Sequence, residues 1–184
     1  LTPPMLTDFV HLSIGGTLSV GGTGGTMQKV GAQVDTVQAL EVVTGEGKRV
    51  ECSRDHKADL FNAVLAGAGQ CAVIVRARVA LVPRQTHALV FNLFYDDLAT
   101  YIADQLTVLR DGRFSYQEGQ FVRRPDDTGW RYMLEAASYH TPPAVPDQAA
   151  LLAGLSDNRA EAVITTVTYT EWVHRVDPAV VALK

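Results

Sequence analysis

The chain has 184 residues, 47% hydrophobic and 20% charged. That is enough for one large or two small cores, and it excludes wholesale disorder. Sixteen basic against twenty acidic side chains give a net charge of −4, the wrong sign for a protein that grips nucleic-acid phosphates. No apolar run reaches the ~18 residues a membrane-spanning helix needs.

The chain opens on Leu1-Thr2-Pro3-Pro4 without the charged and apolar regions of a signal peptide. The expectation is a piece of a longer protein, whose compartment this N-terminus does not reveal. Seven of the fifteen glycines then fall within residues 15–31, in GGTLSVGGTGGTMQKVG. Glycine lets the backbone come close to a ligand, so this segment reads as a loop wrapped against something. Thr17, Ser19, Thr23 and Thr26 interleave hydroxyl donors and acceptors.

Strand signals follow. Residues 37–44 (VQALEVVT) and 49–52 flank the turn Gly45-Glu46-Gly47 and read as a hairpin. Residues 59–68 have helical spacing, with Leu60, Phe61, Val64 and Leu65 on one face. Residues 71–82 read as a strand stopped by Pro83, with Arg76 and Arg78 on a solvated face. After Pro83 come a strand over 87–95 and a helix over 96–110, capped at Asp96 or Asp97. Strands over 114–123 and 130–139 flank the turn Pro125–Gly129. A short helix over 148–155, a strand over 161–169 and a partly helical end over 171–184 complete an α+β pattern. A boundary is expected near residues 83–87.

The motifs narrow the chemistry. The glycine segment lacks the lysine of a Walker A loop, and Met27 stands where a G-x-G-x-x-G fingerprint needs its third glycine. A ligand-free glycine loop remains an alternative. Five histidines share no ligand spacing, so no metal site is expected. Cys52 and Cys71 are too few for a disulfide scaffold and read as two buried thiols, with a single disulfide as the alternative. No G-x-S-x-G elbow supports a serine hydrolase. Asp8, just ahead of the glycines, is either a general base or a cap in an exposed turn. Glu118 lies in FSYQEGQF, facing solvent or a cavity.

TDFVHLSIGGTLSVGGTGGT, LEVVTGEGKRVECSRDHKADLFNAVLAGAGQCAVIVRARVALVP, FSYQEGQF and YTEWVHRVD resemble the cytokinin dehydrogenase family. These are flavoproteins of the vanillyl-alcohol-oxidase superfamily, with a PCMH-type FAD-binding domain. The resemblance implies an α+β fold in two parts. Residues 1–85 correspond to the second half of the FAD-binding domain, and residues 86–184 to the first part of an α+β cap, or substrate, domain.

It also implies roles. Asp8 matches the active-site aspartate beside the flavin, which takes a proton or hydrogen bond from the substrate's secondary amine. Ser13, Gly15, Gly16, Thr17, Ser19 and Thr23 match the segment along the FAD pyrophosphate. Ile74 matches a backbone contact to the flavin nucleotide. Glu118 matches the glutamate that hydrogen-bonds an adenine-type substrate. The implied cofactor is FAD, with oxygen or a quinone as electron acceptor and no nucleic-acid or membrane partner. The implied reaction is oxidation of a C–N bond in a secondary amine such as an N6-substituted adenine. Oxidation of a sugar or alcohol, and a non-catalytic truncated domain, are the alternatives. Gln28-Lys29-Val30-Gly31, Val20-Gly21 and Cys71 depart from the plant pattern and suggest a bacterial relative. The family's flavin-anchoring Gly-x-Gly-His-Ser loop is not in this sequence, which again reads as a fragment.

Overall fold

Residues 1–182 are described by a computed structural model, in which the strands form two antiparallel sheets. The sheets belong to two units. The first comprises Leu1–Arg84 with residues 176–182, and the second Gln85–Arg175. Residues 176–182 thus group with the first unit, although chain order runs them on from the second.

In the first unit, β1 (Val37–Thr44) is the middle strand between β2 (Arg49–Ser53) and β3 (Ala72–Val79). Valine-rich alternation favours the pleat, and Gly47 at φ 74° turns β1 into β2. Leu40 and Val42 of β1, Cys52 of β2 and Ala72 of β3 form a core with Leu18, Phe61 and Val64. The opposite face pairs Glu41 with Arg76 and Glu51 in register. Arg76 and Arg78 are exposed there, as their alternation implies.

Two expectations are corrected here. The glycine segment is not a loop throughout, because Ile14–Val20 form the helix α1. Its neighbour α2 is a single turn, Met27–Val30. The third helix, α3 (Ala58–Val64), stops four residues before Ala68. Ala66 and Ala68 leave the helix with positive φ, and their N–H groups bond the carbonyls of Leu18 and Ser19 at 2.9 and 2.8 Å. Carbonyls at the end of α1 would otherwise lack partners. The end of α3 is therefore set by α1, which its own periodicity does not encode.

In the second unit, the sheet order is β5 (Tyr116–Arg123), β6 (Trp130–His140), β4 (His87–Tyr95), β7 (Val163–Thr168). The helix α4 (Leu98–Asp111) begins where the Asp97 carboxylate accepts from Thr100 N–H at 2.7 Å, and ends at Gly112, φ 64°. With α5 (Gln148–Leu152), α4 covers one face of the sheet. Phe91, Leu93, Tyr101, Val108, Phe114, Leu134 and Leu151 fill the space between. On the other face Trp172, from the short helix α6 (Tyr169–Val173), packs on Ala88, Val90, Tyr116 and Ala137. The last helix, α7 (Asp177–Ala182), belongs to the first unit. The C-terminal end of the expected helical stretch, residues 183–184, lies outside the described residues. Among those described, no helix is long and apolar enough to cross a membrane.

Candidate functional site

The first unit holds Asp8, the glycine segment and Ile74. Asp8 is half-buried in a bend ahead of α1. The bend is tightened by the Thr7 hydroxyl donating to the Phe9 carbonyl at 3.1 Å. Phe9 and His11 stack at a tilt, with centroids 5.3 Å apart. His11 Nε2 lies 2.8 Å from Asp177 Oδ2, which ties the bend to α7.

Helix α1 forms despite two glycines because its ends are paired and one face is buried. The Ser13 hydroxyl accepts from Gly16 N–H at 3.2 Å, a cap that satisfies one of the free donors of the first turn. Leu18 is fully buried. Gly15 presses on β3, where an added Cβ would lie 3.1 Å from the Ile74 carbonyl oxygen. The structure thus brings Gly15 and Ile74 together.

The hydroxyls divide into two groups. The Thr17 hydroxyl donates to the Ile14 carbonyl at 3.1 Å, and the Ser19 hydroxyl to the Gly15 carbonyl at 2.8 Å, so both serve the helix itself. Ser13, Gly16 and Thr23 are exposed. No side chain from Leu12 to Gln28 is charged. Exposed Leu12, Ile14, Val20 and Met27 lie in and around this segment, and Val73 and Val75 flank Ile74 on β3. An uncharged polar strip flanked by open apolar side chains suits a large, partly apolar ligand better than water alone.

Beneath the strip, Gly22 has φ +66°, and a Cβ there would lie 2.6 Å from Gln33 Oε1. That oxygen is buried without a hydrogen-bond partner. Gly22 therefore gives Gln33 room to pack beneath the segment, and a side chain at that position would displace it. The two thiols play no part that the geometry shows. Burial pushes the Cys52 thiol up, away from the reactive thiolate. Cys71 is exposed, which corrects the expectation of two buried thiols.

The second unit holds Glu118, on the edge strand β5. It lies directly opposite Glu135 on β6, which lies opposite Asn92 on β4. The three share one face of the sheet, the face that α6 partly covers. The Tyr116 phenol donates to Glu118 Oε2. Arg175, two residues beyond α6, reaches the same group. Its Nη2 donates to the Tyr116 oxygen at 2.5 Å and lies 3.5 Å from Glu118 Oε2. Its Nε donates to Glu135 Oε2 at 3.0 Å. Its guanidinium stacks on Trp172, 4.0 Å from the ring centroid. Sequence reading isolated Glu118 but missed Arg175, Glu135, Tyr116 and Asn92. No local spacing joins them, because the sheet register and α6 bring them together.

Asp8 and the glycine segment belong to one unit and Glu118 to the other.

Comparison with known proteins gives a consistent picture. No family model matches the chain. An uncharacterised oxidoreductase of a fasciation locus in Rhodococcoides fascians is 39% identical over 175 residues, covering 95% of this chain and 40% of that protein. Cytokinin dehydrogenase 2 of Arabidopsis thaliana is 34% identical over 169 residues, covering 79% of this chain and 34% of that protein. Cytokinin dehydrogenase 1 of Oryza sativa subsp. japonica is 44% identical over 125 residues, covering 65% of this chain and 24% of that one. The chain therefore spans two fifths or less of the length of these relatives. Among solved structures, a VAO-type flavoprotein from Myceliophthora thermophila superposes with a TM-score of 0.68 at 17% identity, over 93% of this chain and 33% of that one. The fold is that of VAO-type flavoproteins.

Proposed function

The chain belongs, over part of the family's length, to the cytokinin dehydrogenases, and from that premise we propose that it works within an FAD-dependent oxidoreductase. The first unit, Leu1–Arg84 with residues 176–182, supplies part of the FAD-binding domain and the second, Gln85–Arg175, part of the substrate domain. The substrate is a secondary amine, an N6-substituted adenine being the first to test.

The observation that carries this reading is the seam between Gly15 and the Ile74 carbonyl, in a segment whose Ser13, Gly16 and Thr23 are exposed and uncharged. In a chain of net charge −4, a diphosphate is held by backbone N–H groups and hydroxyls in place of lysines. Ser13, Gly15, Gly16, Thr23 and the Ile74 backbone would hold the FAD there. Thr17 and Ser19 contribute by building the helix that carries them.

FAD, when bound, supplies the hydride acceptor. The substrate loses a hydride from the carbon bearing nitrogen and a proton from that nitrogen, and its C–N single bond becomes an imine. Asp8 receives the amine proton, which lets the C–H bond break without building positive charge on nitrogen. Glu118 accepts hydrogen bonds from the N–H groups of the purine. Among the described residues, two carboxylates, Glu118 and Glu135, meet the Arg175 guanidinium on that face, a balance that favours N–H donors over anionic substrates.

The test uses the full-length protein. Visible flavin absorbance, bleached anaerobically by N6-isopentenyladenine and not by sugars, supports the reading. A purified protein without flavin bands removes it. Bleaching by sugars or alcohols alone moves the chemistry to C–O oxidation.

A further inference from the structure

Like charges directly opposite each other on adjacent strands destabilise a sheet, yet Glu118 and Glu135 occupy such positions. Their carboxylates are not simply solvated, since the side chains are 34% and 12% exposed. Among the described residues, Arg175 serves both. The Arg175 side chain, 16% exposed, lies 3.0 Å from Glu135 Oε2 and 3.5 Å from Glu118 Oε2 through its Nη2. The same Nη2 donates to the Tyr116 oxygen, and Tyr116 donates onward to Glu118 Oε2. A second grip is cation–π. The guanidinium lies over the Trp172 ring, at 4.0 Å, and the Tyr116 ring, at 4.8 Å. The two rings meet edge to face with centroids 5.0 Å apart. Trp172 is itself fixed by its indole N–H donating to the Tyr139 oxygen at 3.0 Å.

We propose that Arg175 is the positioning residue for Glu118. It holds the substrate-facing carboxylate in one orientation, directly and through Tyr116, while it neutralises Glu135 behind it. The proposal rests on the functional reading above and deepens it. The planar fork is essential to the role. A guanidinium reaches Glu135, Tyr116 and Glu118 from fixed directions while sitting over an indole, and an ammonium does not. Asn92, the next residue in this cross-strand row, has its Oδ1 buried without a partner. The row is thus polar from β5 to β4, and Arg175 is the cation bound to two of its members.

The experiment compares Arg175→Lys, Glu118→Gln and the double variant in the full-length protein. Steady-state kinetics and calorimetric binding of adenine are measured for each. Circular dichroism and flavin content confirm that each variant is folded and loaded. Arg175→Lys is expected to raise KM for N6-isopentenyladenine and Kd for adenine roughly tenfold, as for loss of a charge-assisted hydrogen bond. Turnover at saturation is expected to change by less than about twofold, the pattern of lost ground-state and transition-state contact alike. The double variant is expected to bind no worse than Glu118→Gln alone, because Arg175 acts through Glu118. Two results overturn the proposal while leaving the function standing. One is an unchanged KM in Arg175→Lys, and the other is losses that simply add in the double variant. Failure of the unmodified protein to bind adenine overturns this proposal together with the adenine-type substrate, while the flavin spectrum tests the oxidoreductase reading separately.

Discussion

Asp8 stands in a bend held by the Thr7 hydroxyl and by the Phe9–His11 ring contact. Its place is fixed by neighbours rather than by a helix or strand. An Asn in its place keeps the shape and the accepting oxygen but cannot take a proton. Asp8→Asn in the full-length protein is therefore expected to lower turnover by about 10²- to 10⁴-fold with flavin content unchanged. Stopped-flow reduction by the amine measures this directly, and an unchanged rate removes Asp8 from proton transfer. Gly24 makes a different demand. A Cβ there would lie 2.4 Å from the Leu6 carbonyl oxygen and 3.0 Å from Met5 Cε, and Met5 is fully buried. The backbone has to move to admit a methyl group. Gly24→Ala is expected to destabilise the first unit by about 1–3 kcal/mol, measured by urea unfolding. No change would mean that the segment before α1 yields freely.

At the scale of elements, strands were legible and glycine-rich helix was not. Residues 37–44 and 87–95 show their strands in sequence because β-branched and aromatic residues fill them and turns bound them. Helix α1 is hidden because glycine is a poor helix former. What forms it is tertiary: Leu18 in the core, Gly15 against β3, and the N–H groups of Ala66 and Ala68 on its last carbonyls. The row Glu118–Glu135–Asn92 was equally unreadable, since register across three strands decides it. The start of α4 was readable from its cap, and the first turns of α4 and α6 carry a pH dependence. Asp97 accepts from the Thr100 N–H, and Glu171 from the Thr168 N–H; these backbone bonds hold both carboxyls below their ordinary values. A carboxyl with a depressed folded value contributes stability above its unfolded value, roughly pH 4. That contribution fades as pH falls through the folded value. Asp97→Asn retains a capping side chain, since Asn caps as well as Asp. It is expected to leave neutral-pH stability nearly unchanged and to flatten the loss of stability below about pH 4. Urea midpoints measured from acid to neutral pH test this, and an equally steep acid loss would locate the sensitivity elsewhere.

At the scale of the whole molecule, the two sheets have separate cores. Phe61 anchors one with Leu18, Leu40 and Val42, and Phe91 anchors the other with Leu93, Phe114 and Leu134. No residue is shared between these clusters. Each phenylalanine is fully buried, so truncation leaves a cavity that close-packed neighbours fill poorly. Phe61→Ala and Phe91→Ala are each expected to cost about 3–5 kcal/mol in the unit concerned. Hydrogen exchange resolves where that cost falls, because amides report local as well as global opening. With Phe61→Ala, amides of β1 and β3 should exchange faster while those of β4 and β6 keep their protection. Phe91→Ala should reverse the pattern. Such a separation lets a substrate face on the second sheet vary without loosening the helix and strand proposed to hold the cofactor. Equal acceleration in both sheets, from either variant, would show one cooperative unit and end that argument.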